Sequence, residues 1–92
     1  MELHEALDRV DGPTSFIEFV EHLIADRQEE QDDQVDMFGR GPNGWENHSI
    51  EDFLEAAVRW AKDSRFGRDQ GLESVSPWKQ FAEFLYCGKI YE

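Results

Sequence analysis

The sequence has one cysteine, few basic residues and no long apolar run. With Cys87 alone, the chain cannot form an internal disulfide, which favours a reducing compartment. Nine Lys and Arg against 21 Asp and Glu leave no basic patch for a phosphate backbone, so we expect no direct nucleic-acid ligand. No segment approaches the roughly 18 apolar residues of a membrane span, and the amino terminus lacks the features of a signal peptide. We therefore expect a cytoplasmic protein that does not bind membranes.

What the sequence does have is acid and aromatic residues. The net charge is −12, yet 39% of the residues are hydrophobic and 13% aromatic, too many for a disordered acidic tail. The length fits a single domain over residues 1–92 with one small core. The charge is uneven, because residues 1–36 hold 12 acids and 2 bases. The amino-terminal part of the chain therefore carries most of the negative field.

Four segments show helical apolar spacing, and none alternates as a strand would. The spacing predicts a short helix over about residues 2–10 and a long one over about 15–30. A third is expected over about 50–64, and a fourth begins at Pro77. The predicted fold class is all-α: a compact small helical bundle of three main helices plus a short N-terminal helix.

Capping residues mark the ends of these helices. Ser15 and Glu18 form a capping-box pattern for the second helix. Ser49 and Ser76 are good N-caps for the third and fourth helices. Gly88 is expected just beyond the last turn of the fourth helix, where glycine takes the left-handed conformation easily.

The apolar stripe of the third helix predicts the centre of the core. We expect Phe53, Leu54 and Val58 to be almost fully buried. Their expected partners lie on the apolar faces of the second and fourth helices: Phe16, Val20, Leu23, Trp78 and Phe81.

Between about residues 31 and 48 the periodicity is lost, which predicts a long loop. Gly39 to Gly44 matches G-x-G-x-x-G, but that fingerprint works only between a strand and the helix it opens. The acids from Asp32 to Asp36 lack the spacing of a calcium loop. Since the histidines are scattered as well, we expect no catalytic residue, no metal site and no cofactor, and hence a protein that is not an enzyme.

The remaining candidate site is the acidic face of the second helix and the loop after it. Such a face is either solvated surface that aids solubility or a docking surface for a basic protein, and the concentration of charge favours docking. Trp45, at the edge of the loop, either braces the next helix or belongs to the recognition surface. The candidate partner-binding residues are Glu18, Glu21, Asp26, Glu29, Asp32, Asp33, Asp36 and Trp45.

Five short elements together resemble a family of small bacterial proteins of unknown function, over about residues 14–92. They are Phe16-x-x-Phe19-x-x-x-Leu23, Trp45-Glu46-Asn47, Phe53-Leu54-Glu55-Ala56, Trp78-x-x-Phe81-Ala82-x-x-Leu85 and Ile90-Tyr91-Glu92. The resemblance implies a bacterial, cytoplasmic, stand-alone helical domain. It implies no activity, ligand or catalytic residue.

Two functional hypotheses follow. The first is a protein-binding module, in its sharpest form an immunity- or antitoxin-like inhibitor whose carboxylates replace phosphates on a basic partner protein. The alternative is an acidic helical scaffold domain that self-associates and has no toxin partner. A homodimer is one assembly consistent with the alternative.

Overall fold

The computed structural model describes residues 2–32, 44–68 and 76–91, with side chains only up to residue 29 in the first range. These residues form four helices and no strand: α1 (Leu3–Asp8), α2 (Pro13–Asp32), α3 (Ile50–Asp63) and α4 (Pro77–Ile90). None of the four combines the length and the apolar character needed to cross a membrane. The predicted all-α bundle of three main helices and one short one is confirmed.

Helix α4 is the centre of the bundle, because it packs against each of the other three helices. Within the described ranges, α3 has no direct helix contact with α1 or α2. The main core lies among α1, α2 and α4, and its buried residues are Ala6, Leu7, Val10, Phe19, Leu23, Trp45 and Ala82. A second, aromatic cluster joins the end of α3 to α4, where the Phe66 ring contacts Trp60, Phe81 and Phe84.

Two of the predicted N-caps are confirmed and one is wrong. The hydroxyls of Ser49 and Ser76 accept hydrogen bonds from backbone N–H groups three residues later, at 3.0 and 3.3 Å. The capping box of Ser15 does not form, because α2 already begins at Pro13. Proline suits the first helical position, since its fixed φ matches a helix and its missing N–H would have no partner there. The Ser15 hydroxyl instead accepts from the N–H groups of Asp11 and Gly12.

Gly88 does not end α4, which continues to Ile90. The glycine serves close packing between α3 and α4 instead. A Cβ atom at this position would lie 2.9 Å from the backbone oxygen of Phe53 and 3.0 Å from its ring. Any larger residue must push the two helices apart.

The predicted core is wrong for four of its eight residues, whereas Leu23 is buried and Phe16 and Val20 pack against the core as expected. Leu54 and Val58 are 47% and 42% exposed, and Phe81 and Trp78 also reach the surface. The face of α3 that is buried carries Ala56, Ala57 and Trp60, with Phe53 half-buried at its edge. The reason is geometric: the apolar stripe of α3 is wider than the surface that α4 covers, and α2 does not reach it.

The packing at Gly88 predicts that Gly88→Ala destabilises the protein. Helix propensity alone favours alanine by about 1 kcal/mol, but the clash with the Phe53 backbone is of the overpacking type that costs about 1–3 kcal/mol. We expect a net loss of about 1–2 kcal/mol in the free energy of unfolding, measured by urea denaturation. Gly12→Ala is the matched control, because a Cβ there meets nothing within 4 Å. A stabilised Gly88→Ala variant would contradict the observed helix contact.

Candidate protein-binding surface

Trp45 lies in the interior, with only 4% of its surface exposed. Its indole Nε1 donates a hydrogen bond of 2.8 Å to Oδ2 of Asp26, on α2. Its ring stacks on Phe53 of α3, with 5.8 Å between the ring centroids. Trp45 therefore links two helices that do not contact each other directly. Of the two interpretations of this residue, the structure supports the bracing role.

The Asp26 oxygen that accepts from Trp45 also accepts from the ammonium of Lys89, on α4, at 2.7 Å. The side chains of Lys89 and Asp26 are only 9% and 18% exposed. The Lys89 ammonium and the Arg27 guanidinium lie 5.7 and 5.4 Å from the Trp45 ring centroid, within cation–π range. The charge of Asp26 is thus compensated inside the fold.

The residues after Trp45 bind the end of α4. The last carbonyl groups of a helix lack partners within the helix. Here the Glu46 N–H donates to the carbonyl of Lys89 at 3.0 Å. The Asn47 side-chain amide donates to the carbonyls of Gly88 and Tyr91, at 2.9 and 3.1 Å. The Trp-Glu-Asn element is therefore a structural clamp on the carboxyl end of α4.

Three shallow depressions follow one another along α2, and two of them also border α1 or the residue after it. His22 borders each of the three depressions. We refer to them together as the α1–α2 groove, and its residues are Leu3, Ala6, Arg9, Ser15, Glu18, Glu21, His22, Ala25, Asp26 and Glu29. Its lining combines apolar side chains with three exposed glutamates and one arginine, Arg9.

The predicted site residues divide into three groups. Glu18, Glu21 and Glu29 are exposed and line the α1–α2 groove. Asp26 borders the groove as well, but it and Trp45 are held in the internal network described above. The last group is outside the described part of the structure: the residues Asp33 and Asp36, and the side chain of Asp32.

The first and last of the three exposed glutamates are 11 positions apart on α2, about 16 Å at the helical rise of 1.5 Å per residue. No described side chain forms an ion pair with any of them. Among the described residues, no group of three or more His, Cys, Asp and Glu side chains is placed to hold a metal ion. The chemistry that the groove offers is attraction of cationic groups.

Comparison with known proteins places the chain in a family. A family model, the family of unknown function DUF7660, matches residues 13–92. The chain belongs to this family. Neither the comparison with curated proteins nor the comparison with solved structures found a match.

The predicted resemblance to a family of unknown function is thus confirmed. Two of the five elements of that resemblance, Trp45-Glu46-Asn47 and Ile90-Tyr91-Glu92, lie inside the matched range. The structure gives them a common physical role, because Asn47 binds the carbonyl of Tyr91. The Tyr91 hydroxyl in turn donates to Asp63 at the end of α3.

Lys89 is the residue of this network that the sequence interpretation missed. Its spacing offered a signal, since Ala82, Leu85 and Lys89 recur at i, i+3 and i+7 on one face of α4. A lysine that falls on an apolar face needs a buried partner. The sequence did not indicate which of 21 acids that partner is.

Cys87 is half-buried on α4. Burial and, to a smaller extent, the charge of Glu83 raise the pKa of its thiol to about 12. Burial also raises the pKa of the Glu83 carboxyl. The charge of the nearby Lys79 acts against this shift, and the charge of Asp8 adds to it. The thiolate is the nucleophilic form of cysteine, so a thiol with so high a pKa is inert near neutral pH.

The buried ion pair predicts strong coupling between Asp26 and Lys89. Removal of one partner leaves an uncompensated buried charge, which costs about 3–5 kcal/mol. We expect Asp26→Asn and Lys89→Met each to lower the free energy of unfolding by about 3 kcal/mol. The double variant should lose at least about 1 kcal/mol less than the sum of the single losses, because coupled residues are not additive.

Urea denaturation of the four proteins measures this coupling. Glu29→Gln, an exposed acid one turn along α2, is the control and should change stability by less than about 0.5 kcal/mol. Additive losses in the double variant would show that the pair contributes no interaction of its own.

The raised pKa of Cys87 predicts slow alkylation. A shift from 9.0 to about 12 lowers the thiolate fraction at pH 8 about a thousandfold. We expect iodoacetamide to react at least about 100-fold more slowly with the native protein than with the protein unfolded in urea. The native rate should rise about tenfold per pH unit between pH 8 and 10, since the thiolate fraction does so below the pKa. Alkylation rates of the native and unfolded protein that differ by less than a factor of ten would contradict the raised pKa of Cys87.

Proposed function

We propose that this protein is a non-enzymatic binding module that holds a basic segment of another protein in the α1–α2 groove. The observation that carries the proposal is the row of exposed carboxylates of Glu18, Glu21 and Glu29 along the groove. Asp26 in the same helix has an internal cation, Lys89, whereas these three have none among the described residues.

The row of glutamate carboxylates destabilises the isolated protein through charge repulsion. Glu18 and Glu21 are three residues apart on one helix, a spacing at which like charges repel. The whole chain also carries a net charge of −12, so no general excess of cations offsets the repulsion. A partner with lysine or arginine side chains removes this cost on binding.

The shape of the groove supports a basic protein segment as the ligand. Leu3 and Ala25 provide apolar surface beside the carboxylates. Lysine and arginine side chains bury their aliphatic stems on such surface while their charged ends reach carboxylates. A row of about 16 Å matches roughly three turns of a bound helix, or five residues of an extended strand.

In its sharpest form, the proposal is an immunity- or antitoxin-like inhibitor in a bacterial cytoplasm, which covers the phosphate-binding surface of a basic effector. Carboxylates in place of phosphates would compete directly for the same cationic residues. Electrostatic attraction of this kind raises the association rate and makes it sensitive to salt.

Charge neutralisation in the groove tests this. The groove variant carries Glu18→Gln, Glu21→Gln and Glu29→Gln. The control variant carries Glu2→Gln, Glu5→Gln and Asp52→Asn, three exposed acids that do not line the groove, with the same change in net charge. Each protein serves as bait for affinity capture from a lysate of the source organism at low salt, followed by mass spectrometry. We expect one basic protein to bind the wild type and the control but not the groove variant.

The association rate of that partner should fall by about tenfold or more in the groove variant and lose most of its salt dependence. The control should associate at nearly the wild-type rate. Equal capture by all three baits would mean that the groove is not the binding surface. Capture of no basic protein would contradict the proposed class of partner.

A further inference from the structure

The outer face of α3 carries an exposed apolar stripe. Ile50, Leu54 and Val58 follow one another at intervals of four residues and are 75%, 47% and 42% exposed. Leu54 and Val58 also border a shallow depression together with Glu55 and Arg59. Helix α4 packs on a different face, that of Ala56, Ala57 and Trp60, so none of the described helices covers the stripe.

The charges beside this stripe have an ordered arrangement. Glu51 and Glu55 border it in the first half of α3, and Arg59 and Lys62 border it in the second half. Glu55 and Arg59 lie one turn apart but form no salt bridge with each other, and no described side chain forms an ion pair with any of the four. Locally the charge sums to zero, in contrast to the rest of the chain.

We propose that two copies of this chain pair through the outer faces of their α3 helices, antiparallel, about a two-fold axis between Leu54 and Val58. Such an axis places Leu54 of one copy against Val58 of the other. It also sets Glu55 beside the Arg59 of the second copy, and Glu51 beside its Lys62. A symmetric interface requires a surface that is complementary to itself. The outer face of α3 meets this requirement, because its acidic half faces the basic half of the second copy.

A second copy fits this face better than other occupants. A basic partner is repelled by the Arg59–Lys62 half, and an acidic partner by the Glu51–Glu55 half. Only a surface with the reverse order of charges pairs with both halves, and symmetry supplies it. The helix is 14 residues long, about 21 Å, so the contact is at the small end of protein interfaces and the dimer is weak.

Sedimentation velocity on the full chain tests the proposal, from about 1 µM to 1 mM at 0.15 M salt. At this ionic strength the Debye length is about 8 Å. Salt therefore screens the long-range repulsion between the two acidic protomers more than the attraction within the close Glu–Arg and Glu–Lys pairs. We expect a reversible, concentration-dependent monomer–dimer equilibrium. A protein that stays monomeric over the whole range would overturn the proposal.

Charge exchange then identifies the interface. Glu55→Arg and Arg59→Glu should each raise the dimer dissociation constant at least about tenfold, because each places like charges opposite one another. The double variant Glu55→Arg/Arg59→Glu should return to within about threefold of the wild type, since it restores opposite pairs. Leu54→Glu should abolish the dimer, whereas the matched control Ile24→Glu, on the exposed face of α2, should not affect it.

All the substituted side chains are exposed, so circular dichroism should show unchanged helix content in each variant. A dimer that resists both single charge reversals, or one that the double exchange fails to restore, would place the interface elsewhere.

Discussion

The arrangement of the helices depends on the ion pair between Asp26 and Lys89, which Trp45 contacts through its indole N–H and its ring. Helices α2 and α3 do not contact each other, and in the described part of the chain α4 and the segment before α3 connect them. The pair fixes α2 to α4, and the indole hydrogen bond to Asp26 adds the segment that starts α3. Burying two charges is costly unless hydrogen bonds complete their coordination. The indole N–H of Trp45 provides such a hydrogen bond, because it is a second donor to the Asp26 carboxylate.

Much of the helical structure could be predicted from the sequence, because caps and periodicity act over a few residues. Ser49 and Ser76 succeeded as predictions because their hydroxyls bond to backbone N–H groups only three residues away. Ser15 failed because a proline two positions earlier is an equally local and stronger start signal. Gly88 failed for another reason: its role is set by Phe53, 35 positions earlier in the chain, which no local pattern contains.

The candidate site was harder to predict, because chemically similar acids on one helix have different roles. Glu18 faces solvent at the groove, whereas Asp26, eight residues later, bonds to a lysine 63 residues away. Periodicity gives the direction of a side chain from its helix axis but not what lies in that direction. The same limit explains the exposed stripe of α3. Its apolar width was visible in the sequence, but how much of that width α4 covers was not.

The distribution of charge separates two surfaces that can act independently. The α1–α2 groove is acidic, while the outer face of α3 is balanced, and the two lie on helices with no direct contact in the described structure. A dimer formed through α3 leaves both grooves open, so it presents two identical acidic sites. A partner with two basic segments, or a dimeric one, then gains from the raised effective concentration at the second site. Even a weak α3 contact would thereby increase the retention of a partner, without adding any charge to the groove itself.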